Sequence, residues 1–95
     1  MSPLSEVEIS SHLASVPSWH VQNGELVKTF AFTDFRGALA FVNKVGELAE
    51  KAGHHPDIDI RYNKVRLALV SHDAGGLTMK DFDLAASTDT ITHIL

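Results

Sequence analysis

The sequence predicts an α+β fold, a four-stranded antiparallel sheet with three helices on one face, in the order α-β-β-α-β-β-α. Apolar residues recur at helical spacing over one long segment, from Phe35 to Ala52. Two other segments, residues 19–32 and 58–70, alternate apolar and polar positions around a short turn. Strands joined by such short turns run antiparallel, so each of these segments is a hairpin, and helices pack against the sheet that they form.

The first helix is predicted from roughly Ser5 to Ala14. Ser5 and Glu8 have the spacing of a capping box, in which each side chain accepts a hydrogen bond from the other residue's backbone amide. The residue before a proline avoids helical geometry, so Pro17 limits the helix.

The dipeptide Asn23-Gly24 indicates the turn of the first hairpin, because both residue types tolerate the positive φ angles of a type I′ turn. The paired positions are then Val21 with Leu26 and Trp19 with Lys28. One face of the hairpin is apolar, and we expect it to form part of the core. Its members are Trp19, Val21, Leu26, Phe30 and Phe32.

The long helix begins after Asp34, whose side chain suits the N-cap. Its apolar arc is wide enough to cover the sheet with one side and to leave another side for a partner subunit. Gly53 suits the left-handed position just past the C-terminus, where the negative end of the helix dipole lies. The apolar positions are Phe35, Ala38, Leu39, Phe41, Val42, Val45, Leu48, Ala49 and Ala52.

The second hairpin is predicted to turn at Asn63-Lys64, between two strands that alternate strictly and should each bury one face. The predicted pairs are Tyr62 with Val65, Ile60 with Leu67, and Ile58 with Leu69. This pairing returns the end of the second strand to the start of the first. We therefore expect His72 to lie close to His54 and His55, although it follows them by many positions.

Residues 74–77 include two adjacent glycines and are predicted to form a flexible loop, and no Lys-Ser/Thr follows them as it would in a phosphate-binding loop. The last helix is predicted to begin with Thr78 as its N-cap and Asp81 in its first turn. It is expected to end at about Asp89, and the tail, residues 91–95, fits either a helix end or a loose terminus.

The composition indicates one globular domain spanning residues 1–95. The chain has no cysteine, which excludes disulfides and thiolate metal sites. A net charge of −4 with scattered basic residues argues against a nucleic-acid partner, and no apolar run is long enough to span a membrane. The N-terminus lacks the pattern of a secretory signal, so we expect a cytoplasmic protein.

Three histidines, His54, His55 and His72, are the candidates for chemistry. Without context, the doublet is more often a chance feature of the surface. A zinc site is a second interpretation, but the chain has no His-x-x-x-His or Cys-x-x-Cys pair. General acid/base catalysis is the third, because imidazole exchanges protons near neutral pH. The remaining histidines match no motif and are expected on the surface: His12, His20 and His93.

The region from Glu50 to Asp81 carries a specific pattern. It reads Glu50-x-x-x-His54-His55-Pro56, then Tyr62-Asn63-Lys64-Val65, Ser71-His72, Gly76-Leu77 and Asp81. With these residues the chain resembles the pterin-4a-carbinolamine dehydratases, from about Trp19 to the mid-eighties. The resemblance implies a four-stranded sheet with three helices, and a hydro-lyase that dehydrates 4a-hydroxytetrahydropterin to quinonoid dihydropterin. Such an enzyme recycles the pterin cofactor of aromatic amino acid hydroxylases and needs no metal and no cofactor of its own.

The resemblance also implies which residues form the site. His54 and His72 would be the acid/base pair. His55 would bind and orient the pterin, with a share in the acid role as the alternative, and Glu50 and Asp81 would be polar supports. The full set expected to bind substrate is Glu50, His54, His55, Pro56, Ser71, His72, Asp73, Asp81 and Trp19. A core position is the simpler interpretation of Trp19, which similar proteins place near the pocket mouth. Gly53 departs from the family pattern, where Asp or Asn is common, so a side-chain contact to substrate is lost there.

The alternative class is a protein-interaction module. Some proteins of the family that the chain resembles also act as a dimerisation cofactor of a transcription factor, and others have lost the histidines and serve as assembly factors. The presence of all three histidines favours an enzyme here. The expected partners are a pterin substrate and further copies of the chain in a homodimer or tetramer, with a transcription factor in the alternative case.

Overall fold

The computed structural model describes residues 2–92, which form three α-helices and a four-stranded antiparallel sheet in the predicted order. The helices are α1 (Glu6–Leu13), α2 (Phe35–Ala52) and α3 (Met79–Thr92), and the strands are β1 (His20–Gln22), β2 (Glu25–Ala31), β3 (Asp57–Arg61) and β4 (Lys64–Leu69). The sheet order is β1-β2-β4-β3. The predicted fold class is confirmed. No helix within residues 2–92 combines the length and the apolar character needed to cross a membrane.

The core lies between one face of the sheet and the helices. Leu26 pairs with Leu69 and Phe30 pairs with Val65, so these side chains share a face, and each is at most 4% exposed. The helix α2 covers this face with residues three and four positions apart, as an amphipathic helix must. Those buried residues are Ala38, Phe41, Val45 and Ala49.

The capping box at the start of α1 is confirmed. The Ser5 backbone amide donates to Glu8 Oε1 at 2.9 Å, and the Glu8 amide donates to Ser5 Oγ at 3.2 Å. The Ser5 amide, followed by the Ser5 hydroxyl, holds the pKa of the Glu8 carboxyl below its ordinary value. Ser5 and Ala14 cap the helix at its two ends.

The first hairpin turns at Asn23-Gly24, where both residues have positive φ, and Val21 pairs with Leu26 as predicted. Two expectations for this hairpin were wrong. Val21 is 39% exposed, because β1 is an edge strand of only three residues, all of them exposed. Trp19 precedes β1 and does not pair with Lys28, and it is buried by contact with α3 instead.

The predicted register of the second hairpin was wrong by two residues. The turn is Tyr62-Asn63, with Tyr62 at a φ of 52°, and the observed pairs are Ile60 with Val65 and Ile58 with Leu67. The cause is tertiary, because Asn63 is held against the end of β2. The Phe32 amide donates to the Asn63 carbonyl and Asn63 Nδ2 donates to the Phe32 carbonyl, both at 2.8 Å. A shift of two leaves each side chain on its predicted face.

Two apolar segments are more exposed than predicted. Every residue of β3 is exposed, including Ile58 and Ile60, because β3 is the other edge of the sheet. On α2, Phe35 is 44% exposed and Leu39 is 39% exposed, so they lie on the side of the helix away from the core. These four side chains are among the large apolar residues that are exposed within residues 2–92.

The segment between β4 and α3 is folded rather than loose. Residues His72–Ala74 form a 3-10 helix, Gly75 has a φ of 79°, and a bridge joins Ser71 to Gly76. Thr78 directly precedes α3, as predicted for its N-cap, but its hydroxyl bonds to Ser71 and not to an amide of the helix. The helix α3 runs on to Thr92, beyond the predicted end at Asp89. Most of the predicted ambiguous tail, residues 93–95, lies outside the described residues.

The histidines outside the motif have different environments. His20 is exposed on β1, as expected. His12 is half-buried, with its ring centroid 5.6 Å from that of Phe82, so the surface prediction was wrong for this residue. His93 lies outside the described residues.

Candidate active site

The histidine doublet directly follows the end of α2. Gly53 takes the left-handed conformation with φ 62°, and its amide donates to the carbonyls of Ala49 and Glu50. The His54 amide then donates to the Ala49 carbonyl at 3.1 Å. This local C-terminal cap turns the chain out of the helix and fixes the backbone of the doublet.

His72 approaches the doublet from the opposite direction. It begins the 3-10 helix that follows β4, and the bridge between Ser71 and Gly76 closes that turn beneath it. At Gly76, the other residue of that bridge, a Cβ would lie 3.0 Å from Pro3 Cβ, so a side chain there would crowd the N-terminal segment. The N-terminal segment thus packs against the loop that carries His72, and the Leu4 amide donates to the Leu77 carbonyl at 2.8 Å.

The three histidines line one cavity of about 390 Å³, the histidine cavity. Its complete lining is Gly53, His54, His55, Val70, His72, Asp73 and Lys80. Of the other residues predicted for the site, Asp73 therefore reaches the histidine cavity directly.

Asp81 is fully buried and accepts hydrogen bonds from three segments of the chain. Its Oδ1 lies 2.5 Å from His54 Nε2, and its Oδ2 accepts from Ser71 Oγ at 3.0 Å and from the Thr78 amide at 2.9 Å. Since a carboxylate can only accept, His54 donates through Nε2 and Ser71 donates through its hydroxyl. The Thr78 hydroxyl then donates to Ser71 Oγ at 2.8 Å, which completes a directed network.

The second carboxylate–histidine pair is exposed. His55 Nε2 is hydrogen-bonded to Glu50 Oε2, one turn back on α2, and the two side chains are 62% and 79% exposed. Pairs of this kind in water contribute little to stability. His72 is also exposed and makes no ion pair with a carboxylate of residues 2–92. The three imidazoles therefore differ in burial and in partner.

Not all of the predicted residues reach the histidine cavity. Glu50 and Ser71 act on it through His55 and through Asp81, respectively. Pro56 is half-buried beside the doublet and is not part of the lining. Trp19 lies in the core with its indole N–H on Asp89, which agrees with the simpler of its two interpretations.

Lys80 lines the histidine cavity and was not among the predicted residues. The sequence did contain a signal for it. A lysine in the first turn of a helix faces the positive end of the helix dipole, which is unfavourable, so its presence there calls for another reason. Asp81, the next residue, supplies the negative charge that is favourable in this first turn, so the unfavourable lysine beside it is easily overlooked.

No group of three or more His, Asp or Glu side chains within residues 2–92 is arranged to hold a metal ion. The adjacent histidines bond to different carboxylates, His54 to Asp81 and His55 to Glu50. Independence from metal remains a prediction about the activity, and a chelation experiment tests it.

Comparisons with known proteins place these features in a family. The family model described as pterin 4 alpha carbinolamine dehydratase matches residues 2–91. A protein of Chloroflexus aurantiacus is 62% identical over 91 residues, covering 96% of this chain and 98% of its own, and one of Acidobacterium capsulatum is 59% identical over 91 residues, covering 96% and 99%. Both carry provisional names as pterin-4-alpha-carbinolamine dehydratases.

Two solved structures share the fold. One, from Brucella melitensis, is described as a transcriptional coactivator/pterin dehydratase; it has a TM-score of 0.91 and 29% identity, and the match covers 95% of this chain and 98% of that one. The other is described as a pterin dehydratase-like protein that is a RuBisCO assembly factor in the alpha-carboxysome, with a TM-score of 0.63, 26% identity and coverage of 77% and 84%. Sequence and fold agree over nearly the whole chain, which therefore belongs to the pterin 4 alpha carbinolamine dehydratase family.

Proposed function

We propose that this chain dehydrates a 4a-hydroxytetrahydropterin to the quinonoid dihydropterin by general acid/base catalysis with His54, His55 and His72. The observation that carries the proposal is that these three histidines line one cavity of about 390 Å³. That volume is in the range of pockets for small ligands. Membership of the family, and the names of relatives about 60% identical, support the substrate class.

The reaction needs one acid and one base. The bond between C4a and the hydroxyl oxygen breaks with its electron pair, and an acid protonates the departing oxygen, because hydroxide is a poor leaving group. A base removes the proton from a ring nitrogen, and the electrons of that N–H bond form the new C=N bond to C4a. Substrate becomes product plus one water. Imidazole, with an unperturbed pKa of about 6.5, supplies both forms near neutral pH.

We assign the base to His54. Its Nε2–H is donated to the buried carboxylate of Asp81, which leaves Nδ1 as the nitrogen that can accept a proton. A carboxylate partner of this kind fixes both the orientation and the tautomer of the ring. Ser71 and Thr78 in turn fix Asp81, so the base rests on a rigid support.

The acid is assigned to His72, which lines the histidine cavity from a different segment of the chain. His55 is assigned to binding and orienting the pterin, with its ring held by Glu50. Asp73 and Lys80 are the charged residues of the lining and contact the polar edges of the substrate. The product would return to the cofactor pool of an aromatic amino acid hydroxylase in the cytoplasm.

The test is turnover of freshly generated 4a-hydroxytetrahydropterin by single variants. His54→Gln and His72→Gln should each lower kcat by about a hundred- to ten-thousand-fold, the range for general acid/base groups. His55→Gln should act mainly on KM. The control is His20→Gln, because His20 is exposed on the edge strand and outside the cavity. The fold-decrease in kcat of the double variant His54→Gln/His72→Gln should be much smaller than the product of the two single fold-decreases, because the two groups act together.

Melting temperatures must accompany the kinetics. His55 and His72 are exposed, so their replacement should leave stability unchanged. His54 is only 13% exposed and bonds to a buried carboxylate, so this variant also loses stability. Wild-type turnover in folded His72→Gln protein would overturn the assignment of the site.

A second function, as a protein-interaction module, has one observation in its favour. Phe35 and Leu39 are large apolar side chains on the outer side of α2, and Ile58 and Ile60 are exposed on the edge strand. Solved relatives on this fold are described as a transcriptional coactivator/pterin dehydratase and as a RuBisCO assembly factor. Intact turnover in a variant that has lost these exposed side chains would separate the two functions.

A further inference from the structure

A second cavity, of about 360 Å³, lies beside the histidine cavity. Its walls are formed by the C-terminal part of α2 and by α3, together with His54. His54 and Lys80 belong to the walls of both cavities, so the two spaces meet at these side chains. A ligand in the histidine cavity would reach the space between α2 and α3 past these two side chains.

The second cavity combines an apolar wall with two ammonium groups. Neither Lys51 nor Lys80 has a carboxylate oxygen within 4.0 Å in the part of the chain that the structure describes. Lys28, in contrast, is paired with Asp89 at 2.7 Å. Asp83 is the one acidic residue in the lining, so the positive charges of the wall outnumber the negative.

We propose that the second cavity binds a phosphate ester carried on the side chain of the pterin, so that phosphorylated reduced pterins are the preferred substrates. This inference rests on the proposed function, which places the pterin ring in the histidine cavity. The lysine ammonium is a compact charge that binds phosphate, and the Ser87 hydroxyl supplies a further donor. Leu48, Ala52 and Leu84 pack against the carbon atoms of the side chain.

The repulsion from Asp83 does not cancel this attraction. A doubly charged phosphate meets two cations and one anion, and each pairwise energy falls with distance in the same way. Exposed charge pairs are individually weak, so the expected preference is modest, roughly three- to tenfold in affinity. It should weaken as salt is added, because exposed charges are screened.

The experiment compares two ligands that differ only in the phosphate, 7,8-dihydroneopterin and its 3′-monophosphate. Their dissociation constants are measured by calorimetry on the wild-type protein at low and moderate salt. The same pair is then measured on Lys51→Gln, on Lys51→Gln/Lys80→Gln and on Lys44→Gln. Lys44 is the matched control, because it is an exposed lysine on the same helix, two turns from Lys51, and lines neither cavity.

The inference predicts tighter binding of the phosphorylated ligand by wild type and by Lys44→Gln, with the ratio falling towards one in Lys51→Gln and in the double variant. Equal affinities of wild type for both ligands would overturn it and leave the dehydratase proposal standing. If the double variant still binds the phosphorylated ligand more tightly than the other ligand, the phosphate does not bind in the second cavity. If the protein prefers the phosphorylated ligand but does not turn over the hydroxypterin, the proposed reaction is wrong and the assignment of phosphate binding to the second cavity stands.

Discussion

The indole N–H of Trp19 is hydrogen-bonded to both carboxylate oxygens of Asp89, 3.0 Å from Oδ1 and 3.1 Å from Oδ2, across seventy positions of sequence. Lys28 Nζ lies 2.7 Å from the same Oδ1 and 4.5 Å from the ring centroid of Phe30. Asp89 thereby fastens the C-terminal half of α3 to the first hairpin. Without it, the buried N–H of Trp19 would lose its acceptor, and the largely buried ammonium of Lys28 would lose its ion pair and keep its hydrogen bond to Ser18 Oγ.

Asp89→Ala should therefore lower the free energy of unfolding by about 1–3 kcal/mol, the cost of leaving such groups unsatisfied. Asp89→Asn should cost less, because the amide oxygen still accepts from Trp19. Urea unfolding followed by fluorescence measures both, since the chain has a single tryptophan. The control is Asp83→Ala, at an exposed position of the same helix. Equal stability of Asp89→Ala and Asp83→Ala would show that the contact contributes nothing.

Asp81 should affect both folding and catalysis. Asp81→Ala leaves His54, Ser71 and the Thr78 amide without their acceptor, so we expect a loss of about 3 kcal/mol or more. Asp81→Asn is nearly isosteric and should fold, but its amide can present the wrong group to His54. Its kcat should fall by at least about tenfold with little change in KM, because the ring of His54 loses its fixed tautomer.

The comparison for Asp81 is Asp73→Asn, at the exposed acidic residue of the histidine cavity. This variant should keep the wild-type melting temperature. If Asp81→Asn retains wild-type kcat, the carboxylate is structural and the role of His54 as base loses its support.

Chelation should leave the activity intact. Acid/base catalysis by imidazole requires no ion, and within residues 2–92 no cluster of three potential ligands is present. The measurement is turnover before and after dialysis against a strong chelator, with metal analysis of both samples. Activity that disappears and returns on addition of zinc would replace the acid/base mechanism with a metal-dependent one.

The chain should assemble into a homodimer or a tetramer of dimers. Four exposed apolar side chains lie on the outer side of α2 and on the edge strand β3. Leu39→Glu should shift the mass measured by light scattering towards the monomer, because a charge would be buried in the contact. Val7→Glu is the control, at a position on α1 that is 79% exposed. A wild-type monomer at micromolar concentration would contradict the prediction.

The capping box of α1 should respond to acid. The pKa of Glu8 is lower in the folded state than in the unfolded state. Its contribution to the stability of the folded state is therefore complete above the unfolded pKa and is lost as the pH falls through the folded pKa. Carbon-detected NMR titration measures the pKa of the Glu8 carboxyl. We expect this pKa to be lowest in wild type, higher in Ser5→Ala and highest in Ser5→Pro. The first substitution removes only the hydroxyl, whereas the second also removes the amide, which is the larger cause. An unchanged Glu8 pKa in Ser5→Pro would rule this explanation out.

Sequence patterns predicted the elements whose determinants are local. The capping box at Ser5, the Asn23-Gly24 turn and the C-cap at Gly53 each depend on a few neighbouring residues, and each is present. The second hairpin was misplaced because its turn is selected by hydrogen bonds between Asn63 and Phe32, 31 positions away. Local preference alone did not favour positive φ at Tyr62.

The proximity of the three histidines was predictable from the sequence, and the partners of their side chains were less so. The motif indicated His54, His55 and His72 correctly as neighbours, because a two-residue error in register still returns β4 to the start of β3. The motif could not indicate that Asp81 is buried and bonded to His54, since the two lie on separate segments. Nor could it indicate the second cavity, which exists only where α2 packs against α3.

The network around Asp81 also has an evolutionary consequence. One carboxylate joins the end of α2, the end of β4 and the start of α3, whereas the exposed side chains of His55 and His72 link no separate elements of the fold. A descendant released from selection for dehydration could lose His55 or His72 at no cost in folding, but a change at Asp81 would first need a substitute fastening. Under the proposed mechanism, loss of catalysis on this fold should therefore begin at the two exposed histidines, and Asp81 should be retained for longer.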